Sequence, residues 1–347
     1  MPFTNQNLLV IGGAGFVGAN LAKRLLKEGA ARVTVVDNLL SAERENLPAD
    51  SRITLIEGSI TDDAILAQLE DGFDYAFQLA TYHGNQSSMA DPIADHDNNT
   101  FTTLKFYEHI KNFKRLKKVV YSSAGCTVAE KTFDKARATD EDAPVSLYLD
   151  SPYQMSKIFG EFYSNYYWRA FDLPVVKARF QNVYGPGEVL GAGRWRGTPS
   201  TIWRNVTPVF IYQALNGMAL TVENGAATRD FIYVDDIVSG LLASAAKGAP
   251  GGVYNLASGK ETSIWELAVL INGLTGNKTP VANAGRREWD HSGKRFGSTE
   301  KARRELCFEA KTDIREGLSL TIDWTREHMD FINRCVEKHK PHLNALQ

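Results

Sequence analysis

The stretch LLVIGGAGFVGANLAKRLL (residues 8–26) decides the fold class of this chain. An apolar β-run leads into three glycines, Gly12, Gly15 and Gly18, and a helix-forming segment follows them. In such a turn the first glycine permits a sharp reversal, the second lets the backbone approach a pyrophosphate, and the third lets the helix pack on the sheet. The helix N-terminus adds free N–H groups and the positive end of a dipole. Glycine-rich loops are common, but the strand before this one and the helix after it predict a dinucleotide site.

An acid at the end of the second β-run selects the dinucleotide. Asp37 lies about twenty residues beyond the glycines, at the end of the run VTVVD. A carboxylate there accepts hydrogen bonds from a ribose diol and repels a 2′-phosphate, so the sequence predicts NAD rather than NADP. The alternative is a solvated acid at a strand end. Arg32 precedes the strand rather than following it, so no phosphate clamp is evident.

Strand and helix patterns alternate from the N-terminus to residue 180. Strands are predicted at residues 8–11, 33–37, 53–57, 75–79, 118–122 and 174–180, with helices at 19–28, at 98–111 and after Ser151. Such alternation implies right-handed crossovers between parallel strands. We therefore predict an α/β fold with a Rossmann-type, doubly wound parallel sheet.

The composition changes after residue 182, where GPGEVLGAGRWRGTPSTIWRN (residues 185–205) is crowded with Gly, Arg and Trp. This composition predicts a long ordered loop rather than a sheet unit or a disordered tract. The following RDFIYVDDIVSGLLASAA (residues 229–246) predicts a strand and a helix that rejoin the first domain. We predict two interleaved parts: an NAD-binding Rossmann domain of residues 1–182 and 231–258, and a smaller mixed α/β substrate-binding lobe of residues 183–230 and 259–347.

The bulk composition describes an ordinary globular protein. The chain has 347 residues, 43% of them hydrophobic and 23% charged, with a formal net charge of −2. That balance predicts no partner among nucleic acids. The three cysteines are too widely spaced for a zinc motif, and no other metal site is predicted. The N-terminus lacks the pattern of a signal peptide and no apolar run is long enough to span a bilayer, so a cytoplasmic protein without membrane insertion is expected.

A tyrosine and a lysine one helical turn apart suggest the chemistry. Tyr153 and Lys157 in SPYQMSKIFGEFY lie on one face of the predicted helix. A free tyrosine has a pKa of about 10, and a nearby ammonium would lower that pKa so that the phenolate becomes a usable base. Pairs at this spacing are also common on helix surfaces. The glycine turn and the strand at 118–122 make the catalytic interpretation the stronger one here.

Seven motifs in order resemble the extended short-chain dehydrogenase/reductase family and cover nearly the whole chain. They are GGAGFVG, the acid Asp37, FQLA (77–80), DNNT (97–100), the pair Tyr153 and Lys157, RFQNVYGP (179–186) and TRDFIYVDD (228–236). Four further stretches resemble a narrower group of epimerase-like enzymes from bacterial O-antigen loci. These stretches are ATYHGNQSS (80–88), SSAGCTVAEKTF (122–133), GAGRWRGTP (191–199) and SGKRFGS (292–298).

The family resemblance implies a role for individual residues. The implied NAD contacts are Gly12, Gly15, Phe16, Val17, Asp37, Asn38, Ser59, Ile60, Leu79, Ala80, Thr81, Asn99, Tyr153 and Lys157. At position 59 the family usually has Asp, so that contact departs from the pattern. Asn182, Arg229 and Arg287 match the asparagine and arginines that meet the substrate diphosphate. A guanidinium suits that task because its planar fork binds phosphate oxygens, although each arginine alone is also consistent with a surface charge.

The chain departs from the family at the catalytic hydroxyl. The family places a Ser or Thr just after this strand, whereas here Ala124 or Gly125 falls at that position, depending on the direction of counting. Neither carries a hydroxyl. Ser123, Thr127 or the thiol of Cys126 can substitute by hydrogen-bonding the reacting oxygen of the sugar, and Ser123 is our choice. A cysteine in such a place is more often a small buried apolar residue.

The resemblance implies a nucleotide-sugar epimerase that works through a 4-keto sugar. In that reaction Tyr153 takes the proton of the sugar 4-hydroxyl while C4 gives a hydride to NAD, and the hydride returns to the other face. A 4,6-dehydratase is the alternative within the family, but it needs an Asp-Glu pair where this chain has Gly125, Cys126 and Thr127, none of which is a carboxylate. A regulatory protein that only binds NAD is the alternative of another class. Such proteins typically lack the tyrosine–lysine pair.

The loop after residue 187 is expected to shape the sugar pocket. Arg194, Trp195 and Arg196 can meet a carboxylate or an N-acyl group, so we predict a UDP-linked uronate or N-acetylated hexosamine as substrate. The alternative is that these side chains seal contacts between the two lobes. His83 is also predicted to touch the sugar, although a lone histidine more often satisfies a structural hydrogen bond. The resemblance further implies a homodimer through the helices at 98–111 and 152–170.

Overall fold

The computed structural model describes residues 2–125, 135–285 and 293–345. Across these ranges seven parallel strands form one sheet. In spatial order they are Val253–Leu256 (β12), Val175–Phe180 (β7), Lys118–Ala124 (β5), Tyr75–Gln78 (β4), Asn7–Ile11 (β1), Arg32–Asp37 (β2) and Ile53–Glu57 (β3). The strand order reverses direction between β1 and β4, which is the position where such sheets bind ligands. The predicted Rossmann-type fold is confirmed.

Helices cover the sheet and build the rest of the molecule. They are Phe16–Lys27 (α1), Asp63–Leu66 (α2), Asn85–Ala90 (α3), Pro92–Asp95 (α4), Thr102–Ile110 (α5), Pro152–Phe171 (α6), Val206–Leu215 (α7), Val234–Lys247 (α8), Ile264–Thr275 (α9), Ile314–Glu327 (α10), Met329–Glu337 (α11) and Lys340–Asn344 (α12). Within the ranges described above, no helix is both long and apolar enough to cross a membrane.

Eight short strands pair outside the main sheet. They are Ala138–Thr139 (β6), Asn182–Tyr184 (β8), Thr221–Glu223 (β9), Thr228–Arg229 (β10), Phe231–Tyr233 (β11), Thr262–Ser263 (β13), Ala282–Gly285 (β14) and Phe296–Gly297 (β15). Strands β8 and β11 pair with each other outside the main sheet. Strand β12 returns to the main sheet and pairs with β7 at its edge. The chain therefore passes more than once between the main sheet and the region outside it. The exact division into a Rossmann domain and a substrate-binding lobe stays a prediction.

Strand β1 shows why the centre of the sheet is stable. Leu8 and Val10 belong to the apolar cluster on one face, whereas Leu9 and Ile11 belong to the cluster on the other. Successive side chains of a strand point to opposite faces, so a strand covered on both sides needs an unbroken apolar run. The run ends at Gly12, directly where the sheet meets the ligand-binding crevice.

The loop at residues 187–207, called the 187–207 segment below, is ordered by contact with the C-terminal helices. Leu190 and Ile202 pack in one apolar cluster with Cys335 of α11. The ring of Trp195 stacks on His342 of α12 at 5.0 Å and an interplanar angle of 9°. The predicted order of this loop is therefore observed. The Trp195 ring therefore contacts a helix of the same predicted lobe, whereas Arg194 and Arg196 reach the other predicted lobe at the carbonyls of Asn38 and His83, which is the alternative that the sequence left open.

Candidate active site

One cavity of about 760 Å³ runs from the glycine turn to the start of α6. Most residues predicted to bind the cofactor line it: Gly12, Gly15, Phe16, Val17, Asp37, Asn38, Ser59, Ile60, Leu79, Ala80, Thr81, Tyr153 and Lys157. Ser123, Asn182, Arg229 and His83 line it as well. Residues that are distant in sequence therefore meet around a single space large enough for a nucleotide ligand.

The glycine turn is closely packed where the sheet and helix meet, and open where a ligand would lie. A Cβ atom on Gly12 would be 2.6 Å from the backbone nitrogen of Ala80, and one on Gly18 would be 2.4 Å from the carbonyl oxygen of Gly12. Gly15 is different, because a Cβ there would approach only the Gly12 oxygen, at 3.3 Å. Gly15 also precedes α1 as its N-cap, with no side-chain cap on the free N–H groups. This arrangement suits a phosphate group.

Asp37 lies at the end of β2 and braces the glycine turn. Its carboxylate accepts hydrogen bonds from the backbone N–H groups of Ala14 and Leu39, each at 2.9 Å. Burial raises the pKa of Asp37, and these backbone hydrogen bonds oppose the rise. A buried carboxylate at this place provides the acceptor that a ribose diol requires.

The tyrosine–lysine pair is positioned by the start of α6. The Ser151 side chain accepts a hydrogen bond from the backbone of Gln154 and thereby caps the helix, and Pro152 occupies the first turn. The ammonium of Lys157 donates a hydrogen bond to the carbonyl of Ser122 at 3.0 Å and lies 5.9 Å from the ring centroid of Tyr153. Both side chains face the same cavity as the glycine turn.

His83 lies beside Tyr153 on the cavity wall, with ring centroids 5.8 Å apart. Burial, followed by the positive charges of Arg204, Arg196 and Lys157, lowers the pKa of His83 to about 3. The imidazole is therefore neutral at physiological pH.

Ser123 is hydrogen-bonded to the carboxylate of a buried ion pair. Its hydroxyl donates a hydrogen bond to the carboxylate of Glu161 at 2.5 Å. Arg179 donates two hydrogen bonds to the same carboxylate, at 2.8 and 2.9 Å, and both charged side chains are buried. Ser123 has only one proton to donate, so towards a ligand it can act only as an acceptor. The alternatives Cys126 and Thr127 lie outside the described residues.

Other predicted contacts lie elsewhere. Asn99 does not line the cavity; it accepts a hydrogen bond from the backbone of Tyr82 at 2.7 Å and donates one to Asp95 at 2.8 Å. Arg194 is exposed, and its guanidinium donates to the carbonyl of Asn38 at 3.2 Å. Arg287 lies outside the described residues, so its assignment to the diphosphate stays a prediction.

Arg204 and Glu188 also line the cavity, although no sequence motif marks them as site residues. Arg204 donates hydrogen bonds to the carbonyls of Ser41 and Ala192, at 3.3 and 2.6 Å. Burial raises the pKa of Glu188 to about 7, although a hydrogen bond from Asn205 and the charge of Arg204 oppose the rise. Both residues belong to the Arg- and Gly-rich stretch, but composition alone cannot tell which of its charges turn inward.

The residues fit NAD. The open side of Gly15 can receive a pyrophosphate, Asp37 can accept from a ribose, and Lys157 lies at the opposite end of the same cavity. Within the parts of the chain that the structure describes, the buried hydroxyl of Thr81 has no hydrogen-bond partner. Such a group normally pairs with a ligand or water. The fold and cavity together define a Rossmann-type dinucleotide-binding protein with a tyrosine–lysine pair.

Comparison with known proteins agrees with this class. Residues 8–257 match the NAD dependent epimerase/dehydratase family. The chain belongs to that family, which confirms the predicted resemblance and NAD as the cofactor. The UDP-glucose 4-epimerase of Mycolicibacterium smegmatis is 30% identical over 325 residues, which cover 92% of this chain and 98% of that protein.

Two solved structures are also similar to this chain. The Bordetella bronchiseptica enzyme WbmF in complex with NAD+ is 59% identical, with a TM-score of 0.89 and coverage of 98% of both chains. The UDP-N-acetylglucosamine 4-epimerase of Methanobrevibacter ruminantium, in complex with UDP-N-acetylmuramic acid, is 28% identical, with a TM-score of 0.82. It covers 94% of this chain and 100% of its own.

Proposed function

We propose that this protein inverts C4 of a UDP-linked hexose derivative through a 4-keto sugar. The observation that carries the proposal is the shared cavity, which joins the glycine turn to Tyr153, Lys157, Asn182 and Arg229. Relatives named as UDP-sugar 4-epimerases support the reaction class, and WbmF has been solved with NAD+ and UDP together. When bound, NAD would accept the hydride from C4 of the sugar and later return it.

The side chains of this protein have distinct tasks in such a reaction. Tyr153 takes the proton from the sugar 4-hydroxyl during oxidation and returns it during reduction. Lys157 places a positive charge near the Tyr153 ring and is itself held by the Ser122 carbonyl. Asn182 and Arg229 hold the diphosphate, so that the sugar can present either face after oxidation. The roles assigned to these residues belong to the proposal.

Proton NMR on purified protein with UDP-sugars in D₂O, without added NAD, tests the reaction. We expect conversion of one sugar into its C4 epimer, with no deuterium on carbon, because a hydride is removed and returned without solvent exchange. Deuterium at C3 or C5 would mean that a carbon acid is deprotonated, and would contradict direct C4 inversion. A product that has lost water would identify a dehydratase.

Tyr153→Phe separates an enzyme from a protein that only binds NAD. Loss of a general base typically costs a factor of 10² to 10⁴ in rate, so we expect turnover to fall by about 10³-fold while bound NAD is retained. Equal behaviour of the variant and the wild type, in the NMR assay and in any partner assay, would support the regulatory alternative.

We propose a uronate as the preferred sugar, with an N-acetylated hexosamine as the alternative. Arg204 lines the cavity, and Arg196 donates a hydrogen bond to the carbonyl of His83 at 3.3 Å, so both guanidinium groups lie near the end of the cavity that contains His83 and Tyr153. Arg204 lines the cavity, whereas Arg194, Trp195 and Arg196 do not. This favours Arg204 over Arg194 as the partner of a sugar carboxylate. Equal kcat/KM for UDP-glucose and UDP-glucuronate would contradict the preference.

We also propose a homodimer formed through α5 and α6. Large apolar side chains are exposed on α6 and directly before α5: Phe101, Met155, Phe159, Phe162 and Tyr166. The four on α6 recur at spacings of three and four residues, which places them on one stripe. Analytical ultracentrifugation should give twice the chain mass, and Phe162→Lys should shift it towards the monomer. A monomeric wild type would contradict this arrangement.

A cytoplasmic role in O-antigen or other surface-polysaccharide synthesis completes the proposal. It rests on the resemblance of residues 80–88, 122–133, 191–199 and 292–298 to enzymes of such loci, and on the 59% identity to WbmF. Deletion of the gene in its native host should remove or alter the surface polysaccharide. Unchanged polysaccharide would contradict this role without affecting the proposed chemistry.

A further inference from the structure

The two positions at which the family places the catalytic hydroxyl are Ala124 and Gly125 in this chain, and neither carries a hydroxyl. The Ser123 hydroxyl donates its hydrogen bond to Glu161. Ser122 contributes its backbone carbonyl to Lys157. Ala124 lines the cavity but has only a methyl group, and Gly125 has no side chain. If the proposed function is correct, a polar group from another position meets the reacting oxygen of the sugar.

Gln181 occupies the space beside this strand end. Strands β5 and β7 are parallel neighbours, with Ala124 paired to Phe180, so Gln181 lies one residue further along, next to Gly125. A Cβ atom on Gly125 would lie 2.1 Å from Nε2, 2.6 Å from Cδ and 2.7 Å from Oε1 of Gln181. The carboxamide thus fills the volume into which a side chain at position 125 would extend.

A second glycine borders the same carboxamide. A Cβ atom on Gly297 would lie 2.9 Å from Nε2 of Gln181. Gly125 and Gly297 are far apart in the sequence, yet each approaches the amide too closely to carry a side chain without displacing it. The amide therefore has a defined place between two glycines.

The carboxamide of Gln181 is also available to a ligand. It makes no hydrogen bond to another residue of the described ranges, although the residue is half-buried. Gln181 lines the cavity together with Tyr153, Ala124 and Asn182. A carboxamide can donate two hydrogen bonds and accept others, so an unpaired one on a cavity wall offers a ligand both functions.

We propose that the carboxamide of Gln181 binds the reacting oxygen of the sugar, in place of the hydroxyl found at this site in the family. This assignment rests on the proposed epimerase function. An amide N–H stabilises negative charge that develops on a carbonyl oxygen. An amide does not exchange a proton with substrate near neutral pH, so Gln181 orients the oxygen and Tyr153 alone carries the proton in both directions.

Calorimetric titration of the full-length, NAD-loaded protein with UDP and with three UDP-sugars tests the contact. The sugars are UDP-glucose, UDP-glucuronic acid and UDP-N-acetylglucosamine. UDP has no sugar, so its affinity should change less than twofold in Gln181→Leu, and this also reports correct folding. The tightest-binding UDP-sugar should lose about tenfold in affinity, the usual effect of one hydrogen bond. Equal losses for UDP and the UDP-sugar would overturn the assignment.

The chain offers a matched control for this substitution. Gln78 on β4 is fully buried, does not line the cavity, and its amide has no partner among the described residues. Gln78→Leu should leave both affinities within twofold of the wild type. If Gln181→Leu does not fold, Gln181→Asn withdraws the amide by one methylene group and should produce the same selective loss of UDP-sugar affinity.

A double variant tests whether a serine hydroxyl at position 125 can replace the carboxamide of Gln181. Gly125→Ser alone should lower the Tm, because its Cβ would collide with Gln181. Combined with Gln181→Ala, the serine has room, so the Tm loss should be smaller than the sum of the single losses. The restored hydroxyl should also recover part of the UDP-sugar affinity. Additive Tm losses without recovered affinity would overturn the proposed replacement.

The outcomes distinguish this assignment from the proposed function. If the wild type converts a sugar in the NMR assay and Gln181→Leu keeps its UDP-sugar affinity, only the role of Gln181 is overturned. If affinity is lost selectively but no C4 epimer forms, the sugar contact is supported and C4 inversion is overturned. A wild type that binds UDP but none of the UDP-sugars overturns both.

Discussion

The glycine turn at residues 12–18 and the 187–207 segment are both rich in glycine and border the same cavity, but they are held differently. In the glycine turn, Gly18 packs against the carbonyl of Gly12, a neighbour in sequence. In the 187–207 segment, Gly191 packs against the backbone of Cys335 in α11. The first region thus combines a local contact with the contact of Gly12 to the backbone of Ala80, whereas the second depends on a contact between residues more than a hundred positions apart.

Under the proposed function, the glycine turn and the 187–207 segment lie at the cofactor end and at the sugar end of the cavity. The cofactor end depends on a turn that many sequences can specify locally, and its geometry suits one ligand, NAD. The other end depends on where the C-terminal helices place the segment that contains Glu188 and Arg204. Substrate choice can therefore change through remote packing while the cofactor site remains the same. Variants in each region should affect different ligands.

Gly12→Ala should have the largest effect. Gly12 has a φ of +77°, and the added Cβ would lie 2.6 Å from the backbone of Ala80 in the sheet. Left-handed strain and overpacking together should cost about 4 kcal/mol of unfolding free energy, with loss of bound NAD. Urea unfolding measures the stability, and the fluorescence of bound NADH measures cofactor binding. Gly15→Ala is the control, because its φ is −67° and the added Cβ would have one close contact, with the Gly12 oxygen at 3.3 Å; it should lose much less stability but bind the cofactor more weakly.

Gly191→Ala should disturb the other end of the cavity. Its φ is +70°, and the new Cβ would lie 2.5 Å from the carbonyl oxygen of Cys335. We expect a loss of about 3 kcal/mol and weaker UDP-sugar binding, with NAD binding unchanged. In Gly197→Ala, where φ is +83° but no atom lies within 4 Å, only the strain of about 1–2 kcal/mol should remain. Equal effects of the two variants would show that the α11 contact does not position the segment.

Glu188 should make the stability of the second region depend on pH. Its folded-state pKa is about 7, against about 4.3 for an unfolded glutamate. The folded protein holds a proton between these values that the unfolded chain has lost, so stability falls as pH rises through that window. Glu188→Gln should therefore gain about 2–3 kcal/mol relative to the wild type between pH 4.5 and pH 8. Parallel stability profiles of the two proteins would contradict this.

Trp195→Leu should have the smallest effect of the four. It removes the stacking on His342 while retaining apolar volume. Aromatic pairs contribute about 0.5–1.5 kcal/mol beyond their buried area, so a loss of about 1 kcal/mol is expected in thermal unfolding. UDP-sugar selectivity should stay the same because Trp195 does not line the cavity. A changed ratio of kcat/KM for UDP-glucuronate and UDP-glucose would mean that Trp195 contacts the sugar after all.

The amino-acid sequence by itself determined six of the seven strands of the sheet (all but β12), the glycine turn, Asp37 and the tyrosine–lysine pair. Each of these depends on residues close together in the chain: an apolar strand, a turn of required conformation, or two side chains one helical turn apart. Local sterics and hydrogen bonding act the same way wherever such a pattern occurs. For this reason the family and the cofactor were both predictable from the sequence.

Only the tertiary structure decided which polar groups face the sugar. It turned Ser123 towards Glu161 and exposed Arg194, while it brought Arg204 and Gln181 to the cavity wall. The side-chain direction in these places depends on contacts with distant strands and helices, such as the fit of Gln181 between Gly125 and Gly297. No local pattern encodes such contacts, because the partners become neighbours only when the chain folds.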